Sequence, residues 1–508
     1  MFSDDYRPGI TIKSSWKSHR KQRENGSQTS EVLTYQVDIQ TVEPQDAECQ
    51  TVPASEILEK SLALGNQNVN ETTLVAFLSS VEPMISKQLI KNSTFNVFEE
   101  ANWGSDFESS DTSMNCEYSL QETTVKNETK NDESTLEVTC LSWSSSGASI
   151  AVAYGSMKHM AWGQTRSYLC VWNLDRSRLD QFKCDQKLET ESSLQAVAFH
   201  TTNPALIAAG LFSGVILLWD ISKDEVVYSS ESHDDPVTSV SWLQPQSRKY
   251  IDLLSASTDG KLITWKQKIS QSEKPLTIAK KFQIKASSVR STTGARGSGS
   301  VGITCCAIAV SVKDGIEYTV GDERTLIAGC ENGAIVKCVI DENSYEDDPV
   351  KFSYKGHLGP VYSVDWSPFH RNVFLTCSTD QRCRFYHALH ASPLCEVTPY
   401  SGSDQYLYSV KWSPVRALTL FSVGGSGFLT AYDANNQYVI NSVESEGENG
   451  KKCRINCVEA NQKRAQYVAT GNVDGIVHVW QLGSKFASPD ADENNKLKEL
   501  AEKAMLDD

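Results

Sequence analysis

The feature that most constrains this chain is an apolar strand ending on an aromatic residue, which returns about every 47 residues. YLCVWNLD ends on Trp172, VILLWDIS on Trp219, KLITWKQK on Trp265 and IVHVWQLG on Trp480, with softer endings at Phe385 in RCRFYHA and Tyr432 in FLTAYDA. Successive separations are 47, 46, 120, 47 and 48 residues. The long one hides a further unit, because GAIVKCVI places Lys337 where the aromatic belongs and divides 120 into 72 and 48.

Each unit repeats an inner pattern. Unit three reads VTSVSW, DLLSASTDG, KLITW, and unit five reads VYSVDWSP, VFLTCSTD, RCRFY. Period-two alternation broken by SxDG or SG turns marks short antiparallel strands joined by tight hairpins. One such sheet is apolar on both faces and marginal alone, so neighbours must stack on it and the ends must meet. The pattern predicts an all-β seven-bladed WD-repeat β-propeller over 133–484, preceded by a largely disordered tail, 1–132, with short helical segments. A charged C-terminal tail, 485–508, follows. Unit seven ends its third strand at Trp480, so its outermost strand has to come from elsewhere; CEYSLQETTV, before residue 136, is the candidate.

Asp259 in STDG and Asp380 in STDQ fall at turns, while His233 and His357 precede first strands. A turn Asp that accepts from a His or a backbone amide stiffens a blade edge. Two insertions interrupt the repeat. SSVRSTTGARGSGSVG at 287–302 is Gly/Ser-rich and predicts a mobile connection carrying Arg290 and Arg296. It lacks the GK[ST] end of a phosphate loop. GSMKHMAWGQTRS at 155–167 sets Met157, Met160 and Trp162 between two strands of unit one, either packing on a blade edge or forming a contact patch.

Charge and cysteine usage exclude several classes. Across 508 residues, 48 basic against 64 acidic side chains leave a formal charge of -16, which disfavours nucleic acid as a partner despite Lys13, Lys17, Arg20, Lys21 and Arg23 near the N-terminus. Of the fourteen cysteines, Cys140, Cys170, Cys305, Cys306, Cys330, Cys377 and Cys457 sit in or beside apolar runs as small buried hydrophobes, and no CxxC pair suggests zinc. No apolar run approaches the ~20 residues of a membrane span, and the N-terminus lacks a signal-peptide core. A soluble protein of a reducing compartment, without membrane insertion, is expected.

The tail is rich in Ser, Thr, Asn, Asp, Glu and Gln and cannot repay its own ordering entropy. Two features stand out in it. Gln28-Thr29, Gln40-Thr41 and Gln50-Thr51 lie in three extended polar segments suited to adding a strand to a partner's sheet edge. Residues 71–98 place Leu74, Phe77, Leu78, Val81, Met84, Ile85 and Leu89 at three- and four-residue spacing, painting one side of a helix. Pro83 enters either as a kink or in the first turn of a second helix. The apolar side needs a cover, either a partner or the propeller.

Taken together, the QT segments, the block LVAFLSSVEPMISKQL with FNVFE behind it, and LQAVAFHTTNPALIAAGLFSGVILLWDIS with HDDPVTSVSWL and LLSASTDGKLITW resemble a dynein intermediate chain, of the cytoplasmic dynein 2 type. The resemblance implies a subunit of a microtubule motor complex serving retrograde intraflagellar transport and cilium assembly, found in cytoplasm, cilium, axoneme, basal body and cytoskeleton. It implies that the segments at residues 28, 40 and 50 take eight-kilodalton-type and Tctex-type light chains, although the usual TQT triplet is absent. It assigns residues 71–98, with Phe95 and Phe98, to a roadblock-type light-chain dimer, and the propeller to the dynein-2 heavy chain. It also implies pairing with a second intermediate chain of the WD repeat-containing protein 60 type.

No catalytic, cofactor-binding or metal-binding residue is expected, since the nine histidines show neither metal spacing nor a nucleophile–base pairing. A generic WD-repeat adaptor and an intermediate chain of another dynein class are the rival readings. A ligase or signalling adaptor has no use for the tail block, and a cytoplasmic dynein 1 chain usually begins with a charged coiled coil absent here.

Overall fold

The computed structural model describes residues 75, 77–83, 85–86, 112–123, 136–156, 166–243, 250–268, 276–289, 299–313, 316–319, 324–341, 344–399, 406–447 and 450–506. The chain divides into two units, 1–101 and 102–508.

In the second unit, alternating apolar strands fold into seven four-stranded antiparallel sheets. Six blades are continuous in the chain, at 137–190, 194–231, 237–283, 303–353, 361–397 and 407–444. The seventh is not. Its inner three strands, Ile455–Ala460, Tyr467–Asn472 and Val477–Leu482, are completed by Met114–Leu120, which pairs antiparallel with Val477–Leu482 from Met114↔Leu482 to Leu120↔Val477. The first strands of neighbouring blades pack in sequence round the ring, with Glu137–Trp143 meeting Ile455–Ala460 to close it. The closing strand, MNCEYSL, shares CEYSL with the candidate CEYSLQETTV but starts two residues earlier and ends at Leu120. The propeller therefore reaches back to Met114, inside the stretch 1–132 given above to the tail, because an outermost strand needs only one apolar face and Met114–Leu120 shows little alternation.

Apolar residues facing both ways from each sheet fill the seams. Trp172, Trp219 and Trp265 are almost wholly buried, and each meets the second strand of its own sheet opposite Ile150, Ile207 and Leu253. The same register corrects two positions. In blade five Tyr386, not Phe385, lies opposite Phe374 where the Trp belongs, and in blade four Cys338, not Lys337, lies opposite Leu326. A bulge against the outer strand falls at both sites, between Phe385 and Tyr386 and between Lys337 and Cys338, as it does before Trp219 and Trp265. The extra length before this position in blade four includes a hairpin, Val310–Lys313 with Ile316–Thr319, inserted between its first and second strands. Residues 290–298 and 157–165, and with them Met157, Met160, Trp162, Arg290 and Arg296, lie outside the described residues.

The C-terminal segment 485–508, expected to be a charged tail, forms helix α1, Ser484–Ala487, and helix α2, Ala491–Leu506. Phe486 is buried with Phe421 and Trp480. Leu497 and Ala501 are buried in the cluster of Trp412, Leu418 and Tyr432, against which Phe369 and Leu394 of blade five also pack. Arg416 clamps Glu493 through Nε at 3.0 Å and a second guanidinium nitrogen, and the Leu418 amide donates to the other Glu493 oxygen at 3.3 Å. Leu497, Leu500 and Ala501 supply a narrow apolar stripe, which the surrounding charges hide from a composition-based reading. No helix among the described residues is long and apolar enough to cross a membrane.

Leu120 is completely buried and Met114 nearly so; burying side chains of this size stabilises by roughly 1.5–3 kcal/mol each. A chain starting at residue 133 leaves the Val477–Leu482 edge bare. Its thermal midpoint should drop and amides 477–482 should exchange faster, whereas a chain starting at residue 102 should match full length in both; equal protection in the two truncations would contradict the pairing.

Candidate functional site

A propeller offers its channel, its two faces and its outer edges. The face bearing the turns between second and third strands, together with the loops between blades, is called upper here. Two blades hold it rigid through a buried relay. In blade three, the Trp265 indole donates to Ser255 Oγ at 3.0 Å, Ser255 lies 2.8 Å from His233 Nε2, and His233 Nδ1 lies 3.2 Å from Asp259. In blade five, Thr376 lies 2.8 Å from His357 Nε2 and His357 Nδ1 lies 2.9 Å from Asp380. One tautomer satisfies every partner, with Nδ1–H donating to the carboxylate and Nε2 accepting from the hydroxyl.

Burial alone would raise the Asp259 carboxyl, but hydrogen bonds from His233 and from the Lys261 and Asp234 amides outweigh it and hold the group at about 2. Asp380 is likewise held low against burial by His357 and by the Leu358 and Arg382 amides. Burial pushes His357 below its ordinary value, more than Asp380 pulls it up, so the imidazole stays neutral.

The relay lapses elsewhere. At the position of Ser255, blades one and two carry Val152 and Ala209, and the buried indole nitrogens of Trp172 and Trp219 have no hydrogen-bond partner. Blade seven keeps one link, Trp480 Nε1 to Thr470 Oγ1 at 2.8 Å.

The channel is lined by first strands. Near its lower end Lys411 of blade six lies 3.0 Å from Glu459 of blade seven and 4.0 Å from Asp365 of blade five, while the other Asp365 oxygen accepts the Trp412 amide at 2.7 Å. Burial raises both carboxyls, opposed by Lys411. Burial would lower Lys411, but the two carboxylates dominate and raise it. Blades one to three carry Ser142, Ala198 and Ser241 at the same step, so the charge is confined to one side. Among the described residues no cluster of His, Cys, Asp or Glu could hold a metal ion.

Of the residues singled out from the sequence, Gln28, Thr29, Gln40, Thr41, Gln50 and Thr51 lie outside the described residues, as do Leu74, Met84, Leu89, Phe95 and Phe98. Phe77, Leu78, Val81 and Ile85 fall on helical residues 77–83 and 85–86, a run that includes Pro83. Phe77 is 61% exposed, Leu78 55% and Ile85 52%. The channel triad was missed, yet aligning VDW, VKW and VEA shows Asp365, Lys411 and Glu459 at one step of three successive units.

Asp259 generates a pH prediction. Its folded value of about 2 lies below the ordinary 3.8, so its contribution is complete above the latter and vanishes as pH falls through the former. Urea unfolding should find Asp259→Asn about 2 kcal/mol less stable at neutral pH, with the gap closing between about pH 4 and pH 2. A pH-independent gap would exclude an ionised partner for His233.

The family model described as WD domain, G-beta repeat matches residues 224–266 and 349–387, the spans that end in blades three and five. The chain is 31% identical over 509 residues to cytoplasmic dynein 2 intermediate chain 2 of Mus musculus, covering 96% of this chain and 90% of that one. Against the Homo sapiens protein of the same name it is 32% identical over 454 residues, 84% of this chain and 79% of that one. Against dynein axonemal intermediate chain 4 of Xenopus laevis it is 27% identical over 300 residues, 56% of this chain and 38% of that one.

Proposed function

Because this chain belongs to the dynein intermediate chain family, in the branch of cytoplasmic dynein 2 intermediate chain 2, we propose that it is a non-catalytic scaffold of a dynein-2 complex working in retrograde intraflagellar transport and cilium assembly. The supporting observation is the reach of the similarity. It runs through 96% of the chain, tail and propeller alike, where a generic WD-repeat adaptor would share the propeller alone. The axonemal relative of Xenopus laevis matches only 56%.

In this reading the propeller grips the dynein-2 heavy chain. Its closed ring suits that task, because seams packed with buried side chains resist deformation and hold surface residues at fixed spacing. The apolar helix side at Phe77, Leu78 and Ile85 stands exposed in its own unit and would take a roadblock-type light-chain dimer. The segments around Gln28-Thr29, Gln40-Thr41 and Gln50-Thr51 would take eight-kilodalton-type and Tctex-type light chains by strand addition. Light-chain dimers shared with a second intermediate chain, of the WD repeat-containing protein 60 type, raise the effective concentration of each chain for the other without a large direct interface. Turnover of ATP belongs to the motor polypeptide; this chain positions it. Cytoplasm, cilium, axoneme and basal body are the places where such a complex would be found.

Affinity purification tests the division of labour. The truncation should begin at residue 102, since a cut at 133 also removes the closing strand. Full-length protein should carry heavy chain and light chains; the truncated form should keep heavy chain and lose the light chains. Retention of every light chain by the truncated form would refute the assignment. Phe77→Asp with Leu78→Asp in the full chain should remove the roadblock-type light chain alone.

A further inference from the structure

The strand that closes the ring carries a thiol with a base beside it. Of the thirteen described cysteines, Cys116 alone is exposed; the rest are half-buried or buried. It lies in Met114–Leu120 opposite Trp480, at a bulge between Cys116 and Tyr118. Its sulfur is 3.6 Å from His478 Nδ1 and 3.4 Å from the Tyr118 carbonyl, so one thiol proton has two acceptors in reach.

The far side of the imidazole settles which nitrogen is the base. His478 Nε2 lies 3.0 Å from the Glu446 carbonyl, which can only accept, so Nε2 carries the hydrogen and Nδ1 turns its lone pair to the sulfur. His478 is 6% exposed, and burial lowers it more than Glu446 raises it, which leaves the ring neutral and able to take a proton. Burial, and after it the Glu446 charge, raise the Cys116 thiol and hold its proton in the resting protein. The sulfur therefore gains its nucleophilic form by handing that proton to His478. A nucleophile in reach of a base, with the base oriented by a third group, is the arrangement that activates a thiol.

We propose that Cys116 is a thiol–disulfide exchange site, which takes a small disulfide of the glutathione class as a one-to-one adduct. Cys116 Sγ attacks one sulfur of the reagent while its proton passes to His478 Nδ1. The S–S bond of the reagent breaks as the mixed disulfide forms, and the departing thiolate recovers the proton from the imidazolium. Cys116 is oxidised, one reagent sulfur is reduced, and an excess of free thiol runs the exchange backwards. An outermost strand admits such a reagent from solvent, and a tripeptide hung on it needs no room in the core. Other cysteines compete poorly, since burial pushes Cys330 and Cys395 up to about 12 and encloses their sulfurs. The site is distinct from the tail helix and from the QT segments.

The test uses the full folded chain with excess glutathione disulfide at neutral pH, quenched with acid in a time series and read by intact mass and peptide mapping. The first glutathione should appear on Cys116, roughly tenfold or more faster than on any other cysteine, and dithiothreitol should remove it. Cys116→Ser should lose that first adduct. His478→Gln, shown to be folded by an unchanged thermal midpoint, should slow it roughly tenfold or more, because the base is gone. A synthetic peptide of residues 112–123 supplies the same thiol without the base and should react more slowly than the folded chain; this comparison decides if His478→Gln does not fold. A first adduct at another cysteine, an unchanged rate in folded His478→Gln, or a peptide that reacts as fast as the folded chain would each overturn the proposal.

Discussion

The pairing of Met114–Leu120 with Val477–Leu482 carries the rest of the molecule, because it completes the last blade with a strand that precedes the first. Each blade is a small twisted sheet whose apolar faces are satisfied only by two neighbours. Blade seven supplies one face to blade six and the other to blade one, where Ala469, Val477 and Val479 pack with Val138, Ile150 and Val152. If the outer strand leaves, Val477–Leu482 becomes an open edge, and the seam to blade one loses Leu120 as well as backbone hydrogen bonds. Closure by a strand from upstream makes the ends of the circle depend on a covalent chain as well as on contacts.

Around that circle the seams differ in chemistry. Most are apolar, but Asp252 and Arg324 form a buried ion pair between blades three and four, and Asp365, Lys411 and Glu459 link blades five, six and seven. Buried pairs of this kind give little net stability against a hydrophobic replacement, yet breaking one partner away is costly. They penalise misregistered packing, in which a buried charge would be left alone. Helix α2 adds a second tie at the outer side of blades five and six, where Leu497 and Ala501 cover Trp412 and Tyr432. Blades five to seven thus share the channel triad, and blades five and six the helix α2 tie as well.

How much of this was legible follows from what each position must satisfy. Trp172, Trp219, Trp265 and Trp480 announce themselves because a buried indole tolerates few substitutes, and their spacing gave the blade count. Blade four was harder, since Cys338 fills the same place with a small side chain and the neighbouring Lys337 drew attention by one residue. Tyr386 was displaced to Phe385 for a related reason: two adjacent aromatics fit the alternation equally, and only the bulge between them decides which meets Phe374. The family model finds blades three and five, which retain the His–Asp relay, and passes over blades one and two, where Val152 and Ala209 leave the indole nitrogens unpaired. Helix α2 was hidden because three apolar residues among many charges look like tail until a groove exists to receive them.

Tyr362 and Tyr408, whose rings meet edge to face across blades five and six, were illegible for a different reason. Tyr362 and Tyr408 fit the strand alternation as well as any half-buried aromatic, and nothing local distinguishes them from core. Their difference appears only when seven first strands are compared at one height in the channel, where Thr139, Thr238, Thr304 and Asn456 bond to the next blade and Gln195 bonds to Ser193 of its own. A repeat protein supplies its own controls in this way. Between blades five and six the seam is already closed by Ser363, and Tyr362 stands 43% exposed. Tyr362 meeting Tyr408 edge to face adds an aromatic contact across that seam, while part of the Tyr362 ring stays in water.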